Sequence, residues 1–162
     1  MRFWFDTEFY EDGRTIELIS IGIVGEDGTA FYAETPDAKS LARRTQWLAN
    51  NVAPYLRIDD SSTYERWQIA ESLIGFCGEK PEIWAYYADY DWVALCQLFG
   101  RMIDLPKGWP MFCRDVKQWA DSLGNPKLPE QRTVEHNALN DAIWTRDAWR
   151  YLSDLRSPTN AE

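Results

Sequence analysis

Arg2-Phe3-Trp4-Phe5-Asp6-Thr7-Glu8-Phe9-Tyr10 is the stretch on which the reading of this chain turns. It begins as an apolar strand and then sets Asp6 and Glu8 two residues apart. In an extended backbone residues i and i+2 share a face, so both carboxylates lie on one side, about 7 Å apart along the strand. Unpaired, they repel one another, and burying them is costly. A hard divalent cation that prefers oxygen ligands, Mg²⁺ or Mn²⁺, relieves both problems. The alternative is a strand that stops at Phe5 and two solvated turn acids; nine residues alone do not choose between the two.

Outward from that stretch, Glu11-Asp12-Gly13 is a turn and residues 15–24 are a long β-branched run. Residues 25–28 form a second turn and 29–34 a third strand, so the chain opens with an antiparallel meander. From Asp37 the apolar period becomes helical, with Leu41, Trp47, Leu48 and Val52 on one face as far as Pro54. A helix capped at Ser61-Ser62 carries Trp67, Ile69, Ala70, Leu73, Ile74 and Phe76. Residues 82–87 read as a strand, 91–99 as a helix stopped by Gly100, and 101–110 as a loop. After the short apolar piece 111–113, Asp115 caps a helix that reaches Leu123. Residues 124–132 make a loop long enough to move. The closing helix runs from about Asn137 to Leu152, with Ala138, Ala142, Trp149 and Leu152 along one line. No repeat or linker divides the chain. These elements lead to one α/β domain over residues 1–156, a mixed sheet flanked by helices in which the meander precedes parallel strands. Residues 157–162 are expected to be a flexible tail.

Composition narrows the function classes. With 45% hydrophobic and 15% aromatic residues over 162 positions, the chain suits one packed domain. No apolar run has the length of a membrane span and the first residues do not resemble a signal peptide, so no membrane association is expected. Cys77, Cys96 and Cys113 are odd in number and widely spaced, which suggests neither a disulfide framework nor a zinc site. A reducing, cytoplasmic setting is the plain expectation. A formal charge of −9 argues against coating long nucleic acid electrostatically. It leaves room for an enzyme that meets a short strand end through metal ions at its site.

Two later stretches add acids. In Tyr86-Tyr87-Ala88-Asp89-Tyr90-Asp91 a strand passes into a helix. One aspartate suffices to cap it, for about 1 kcal/mol, which leaves the other for a site at the strand's carboxyl end. In Glu135-His136-Asn137-Ala138-Leu139-Asn140-Asp141-Ala142, Asp141 lies just over one turn inside the last helix, with apolar Ala138 and Trp144 at i−3 and i+3. An acid beside a buried face calls for a partner, and a cation is one; a solvated charge or a surface ion pair is the plainer account. His136 is the only histidine, and alone it reads as an ordinary hydrogen-bonded side chain. Taken together, Asp6, Glu8, one of Asp89 and Asp91, and Asp141 can hold two divalent ions about 4 Å apart, the clamp for in-line displacement at phosphorus. An imidazole with an unperturbed pKa near ~6.5 then has a task, taking a proton from the attacking water.

At these residues the sequence resembles the DEDDh family of 3′-to-5′ exonucleases, whose fold is ribonuclease H-like. The motifs are Phe5-Asp6-Thr7-Glu8, then Tyr90-Asp91 followed by Val93-Ala94-Leu95, then His136-x-Ala138-x-x-Asp141-Ala142, in order from residue 3 to about 152. The resemblance favours Asp91 over Asp89. It implies that Asp6, Glu8, Asp91 and Asp141 bind two divalent cations, Mg²⁺ or Mn²⁺, and that His136 is the general base. Within the family, Asp6-Thr7-Glu8-Phe9 through residues 11–13 and 15–22, and the run from Tyr90 to Gly100, are similar to the small bacterial polyadenylate-specific 3′-exoribonucleases. That similarity implies a metal-dependent exoribonuclease releasing nucleoside 5′-monophosphates from a single-stranded RNA 3′ end, with a taste for adenylate, and a homodimer.

Thr7 and Phe9 flank Glu8 and are the candidate substrate contacts, with Phe9 or Tyr10 placed to touch the terminal base by stacking. Trp4, Trp84, Tyr86, Tyr87 and Trp92 are read as core or rim packing. Arg43, Arg44, Lys127 and Arg132 are candidates to meet the RNA backbone. The alternatives are the same chemistry on DNA, and a ribonuclease H-like binding module that keeps the acids without cutting.

Overall fold

The computed structural model describes residues 1–57 and 61–156; the expected tail, 157–162, lies outside them. The strands are β1 (Arg2–Glu11), β2 (Ile16–Gly25), β3 (Ala30–Glu34), β4 (Glu82–Ala85) and β5 (Arg114–Asp115). The helices are α1 (Ala38–Leu41), α2 (Gln46–Asn51), α3 (Arg66–Cys77), α4 (Asp89–Gln97), α5 (Val116–Ser122) and α6 (Ala138–Arg156). One mixed sheet holds all five strands in the order β3-β2-β1-β4-β5. The meander pairs antiparallel, while β4 joins β1, and β5 joins β4, in parallel. This is the ribonuclease H-like arrangement expected from the sequence.

β1 is the middle strand and its two faces serve different cores. Phe3 and Phe5 pack with Ile21 and Ile23 against Ile69 and Leu73 of α3 and Trp92 and Leu95 of α4. Each such side chain contributes about 1.5–3 kcal/mol on full burial. On the opposite face Trp4 and Val24 meet Ala142 of α6. Alternation carries Asp6 and Glu8 onto the Trp4 side and Thr7 onto the other. The parallel ladder to β4 covers only Arg2 to Trp4, so the acid-bearing half of β1 is free of β4 along that edge.

Two local features bring helices onto this half. Gly22 is the cross-strand partner of Asp6. A Cβ at Gly22 would lie 2.3 Å from the backbone nitrogen of Leu139 and 2.4 Å from the carbonyl carbon of Ala138, so the first turn of α6 rests directly on the β2 backbone. Next to it the ladder slips: Glu8 faces Ser20 but Phe9 faces Leu18, which leaves Ile19 as an extra residue. Ile19 thereby leaves the cluster of Leu18 and Ile21 and packs with Leu41, Leu48 and Val52 of the α1–α2 region.

Several local expectations change. β1 continues through Glu11, so both acids are strand residues. The helix expected from Asp37 is broken; α1 ends at Leu41, and Thr45 starts α2 by accepting the Leu48 N–H at 3.1 Å. Trp47, placed on the apolar face by its spacing, is 53% exposed. α3 is capped by a reciprocal Glu65–Gln68 box rather than by Ser61-Ser62, and its Trp67 and Ile74 are exposed. β4 stops at Ala85, and Tyr87 takes a left-handed conformation (φ 55°) before α4. α4 starts at Asp89, and neither Asp89 nor Asp91 caps it; Asp115 accepts the Ala88 N–H at 2.7 Å instead. Asp115 also caps α5, as expected, through the Gln118 N–H at 2.9 Å. α6 runs one turn past Leu152.

Gly22→Ala is expected to destabilise the fold by about 1–3 kcal/mol in urea unfolding, because backbone rather than a yielding side chain meets the new methyl. Gly75→Ala, inside α3 with no atom within 4 Å of the added Cβ, is expected to be neutral or stabilising by about 0.5–1 kcal/mol.

Candidate active site

The carboxyl end of β1 and the first turns of α4 and α6 meet around a cavity of about 350 Å³. Asp6, Glu8, Asp91, Asp141 and His136 line it, together with Thr7, Phe9, Trp47, Tyr86, Tyr87 and Tyr90. All five residues expected to carry chemistry are therefore brought to one place. Of the two aspartates of the second motif, Asp91 is buried and lines the cavity, while Asp89 is exposed. Its Oδ1 accepts the Thr7 backbone N–H at 2.9 Å and the Thr7 hydroxyl at 2.6 Å. Thr7 thus holds a metal-ligand candidate across the sheet edge that β4 leaves open.

Asp141 sits in the first turn of α6, where the helix dipole favours a negative charge. Its Oδ2 accepts the backbone N–H of His136 at 2.9 Å, and its Oδ1 accepts the Gln131 side-chain amide. Asn137 closes the helix end, its Oδ1 taking the Asn140 N–H at 3.2 Å. His136 itself has φ 62°, in the left-handed region. Glu8, His136 and Asp141 each offer a ligand atom within 4.8 Å of the others.

The electrostatics of this group are frustrated. Asp6 keeps part of its side chain open to the cavity, yet burial, then the charges of Asp91, Glu8 and Asp141, hold it well above the usual carboxylate range. Burial, then Asp141 and Asp91, pushes Glu8 up to about 8. Burial pushes Asp91 up to about 6, against the pull of its two bonds from Thr7. Asp141 is raised by burial, opposed by Gln131 and the His136 N–H. Four carboxylates in one cavity without a compensating positive side chain suit a hard divalent cation, and the donors are oxygens of the kind such ions select.

Two neighbours of the chemistry escape sequence reasoning. Gln131 lies in a loop with Pro126 and Pro129 and no periodic pattern, and only the folded chain shows that it touches Asp141. Trp47 fits a helical apolar face by spacing, yet its ring packs on His136, centroids 4.9 Å apart. Tyr86 and Tyr87 line the cavity, and Phe9 stacks on Tyr90 with centroids 5.7 Å apart and planes at 11°. Of the cationic candidates, Arg44 pairs with Glu17 at 2.8 Å and lies over Tyr10, and Arg43 is exposed. Lys127 and Arg132 line a neighbouring cavity of about 640 Å³ beneath the 127–133 loop.

Residues 1–153 match the family profile described as the 3′-5′ exoribonuclease Rv2179c-like domain. The chain belongs to that family. It is 42% identical over 166 residues to the 3′-5′ exoribonuclease Rv2179c of Mycobacterium tuberculosis strain H37Rv, a match spanning 99% of this chain and 96% of that protein. Among solved structures, exonuclease I aligns with a TM-score of 0.64 at 14% identity, covering 97% of this chain and 41% of that one. Exonuclease I from Methylocaldum szegediense gives the same TM-score at 12% identity, over 98% and 41% of the two chains. At such identities the likeness speaks for the fold, and this chain spans about two fifths of those enzymes. The resemblance read from the three motifs thus stands, and with it the assignment of the chain as a 3′-5′ exoribonuclease of this family.

An acid whose folded pKa is raised holds more protons in the native state than in the unfolded one, so stability falls as pH climbs between the two values. For Glu8 that window runs from 4.5 to about 8 and for Asp91 from 3.8 to about 6. In chelator the protein is expected to lose thermal stability from about pH 5 to about pH 8, and added Mn²⁺ to restore it most at the alkaline end. Glu8→Gln in chelator near pH ~8 is expected to be more stable than the parent by on the order of 1–2 kcal/mol in urea unfolding. A flat pH profile would show that the fold does not raise these acids.

Proposed function

We propose that this protein shortens single-stranded RNA from the 3′ end, releasing nucleoside 5′-monophosphates, with two divalent cations, Mg²⁺ or Mn²⁺, held by Asp6, Glu8, Asp91 and Asp141. The observation that carries this is the meeting of four mutually repelling carboxylates and the only imidazole around one cavity, in a member of an exoribonuclease family. When bound, the cations would offset the acids' charge so that a phosphodiester can approach, and would favour both the attacking water and the leaving oxygen.

The chain's own residues carry the remaining work. An imidazole nitrogen of His136 takes the proton of the water that attacks phosphorus; the bond to the penultimate 3′ oxygen breaks, and that oxygen takes a proton from solvent to end as the hydroxyl of the shortened strand. The Asp141 carboxylate holds the His136 main chain through the 2.9 Å bond, and Thr7 holds Asp91. Phe9, already stacked with Tyr90 beside Glu8, offers a ring to the terminal base. A net charge of −9 fits an enzyme that engages a short strand end rather than a long tract, and adenylate-rich ends are the substrates we favour.

A single domain over residues 1–156 is supported by the one continuous sheet. Homodimer formation is supported by exposed Val93, Met102, Met111 and Phe112, which line one shallow cavity away from the acids. A cytoplasmic location is supported by three free thiols.

A 5′-labelled RNA oligomer is expected to shorten stepwise from its 3′ end with Mn²⁺ or Mg²⁺ and to stay intact in chelator, while the matched DNA oligomer is cut far more slowly. His136→Ala is expected to lower turnover by about 10²–10⁴-fold while keeping calorimetric Mn²⁺ binding, and Asp6→Asn to lose both. Parent-rate cutting by the histidine variant would remove the general-base role.

A further inference from the structure

Trp47 does not behave as a core residue. Within α2 only Leu48 is buried, and the indole is 53% exposed, so removal from water does not account for its position. The ring contact it makes is with the only imidazole in the chain. Its centroid lies 4.9 Å from that of His136, with the planes at 74°, the edge-on arrangement preferred between aromatic rings. Both rings line the cavity that holds the acids.

His136 needs such a neighbour. A φ of 62° is a region where a residue with a Cβ is held at a cost, and it persists only where the surroundings over-determine it. The main chain is held on both sides: the His136 N–H goes to Asp141, and the Asn137 side-chain amide donates to the Tyr55 carbonyl at 3.3 Å. Neither bond restrains rotation of the imidazole, and among the described residues no hydrogen bond reaches its ring nitrogens. Trp47 lies just before the 3-10 turn Ala53–Tyr55 that receives Asn137. One short segment, which supplies none of the four acids, thus reaches both the ring and the following residue.

We infer that Trp47 is a positioning residue for His136: its edge-on contact selects the ring orientation from which the imidazole reaches the attacking water. This rests on the assignment of His136 as general base. The segment from Thr45 to Tyr55, which carries none of the four acids, therefore adds its own contact on the ring to the hold that Asp141 has on the His136 main chain.

The test compares parent, Trp47→Ala, Trp47→Phe and His136→Ala by steady-state kinetics on RNA with Mn²⁺, by calorimetric Mn²⁺ binding and by thermal unfolding. Trp47→Ala is expected to lower kcat on the order of 10- to 100-fold, the usual cost of a misplaced group. KM and Mn²⁺ affinity are expected to stay within about twofold of parent, the pattern of a loss confined to the transition state. Trp47→Phe, which keeps a ring edge, is expected to recover most of the loss. Because there is one histidine, NMR of the metal-free protein sees one imidazole; its signal is expected to broaden in Trp47→Ala and sharpen again in Trp47→Phe.

A parent-like kcat for Trp47→Ala would overturn the inference. So would a rise in KM with kcat unchanged, which marks a base platform, or a fall in Mn²⁺ affinity in step with kcat, which marks a disturbed metal site. His136→Ala keeps the two levels apart. If it cuts at the parent rate, the base assignment itself falls; if it is inactive while Trp47→Ala is parent-like, only the positioning role falls.

Discussion

Where β2 passes under the start of α6, backbone lies on backbone. Gly22 is the cross-strand partner of Asp6, and the atoms of Ala138 and Leu139 occupy the space in which any other residue would carry its Cβ. That contact lets α6 come close to the sheet, and with it Asp141 toward Asp6 and Glu8. Ala142, one turn on, continues the close packing against Trp4 and Val24. A helix held further off by larger side chains would leave the third-motif acid and its histidine stranded above the strand.

The same closeness makes the protein work against itself. Burial and mutual repulsion raise the acids of the site, and in doing so they withdraw stability from the metal-free fold at neutral pH and above. The apolar clusters on either face of β1 absorb that loss. A site with this charge density is poorly designed for folding and well designed for capturing hard cations. Stability and cation capture are here opposed uses of the same carboxylates.

His136 is held differently from the acids. Asp6 and Glu8 ride on the middle strand of the sheet, Asp91 is tied to Thr7, and Asp141 lies in a long helix, so their spacing is that of rigid elements. His136 stands on a left-handed residue between a Pro-bearing loop and a helix start, and what touches its ring comes from the short α2. Four acids thus stand on stiff supports, and the one imidazole stands at a corner held by Asp141, Asn137 and Trp47. Ion geometry tolerates little error, whereas a base has to follow a moving proton.

Much of this was legible before any fold was known, because it depends on local periods. The i, i+2 spacing of Asp6 and Glu8, the placing of Asp141 just over one turn into a helix, the meander turns and the Asp115 cap all follow from strand and helix geometry within a few residues. Where propensity misled, a local competitor was at work. Thr45 restarted a helix that Leu41 and Leu48 seemed to share, and the Glu65–Gln68 box captured the start of α3 ahead of the two serines. By itself, then, the sequence determined the residue types, their spacing along each element and hence the reaction they suit. Only the tertiary structure decided that Asp91 rather than Asp89 turns inward, that Gln131 meets Asp141, and that Trp47 faces His136. Those contacts join residues as much as 84 to 89 positions apart. No local period encodes them, because they are set by the register of β1 on β2 and by how closely α6 settles on the sheet, sums of many weak contacts made all at once.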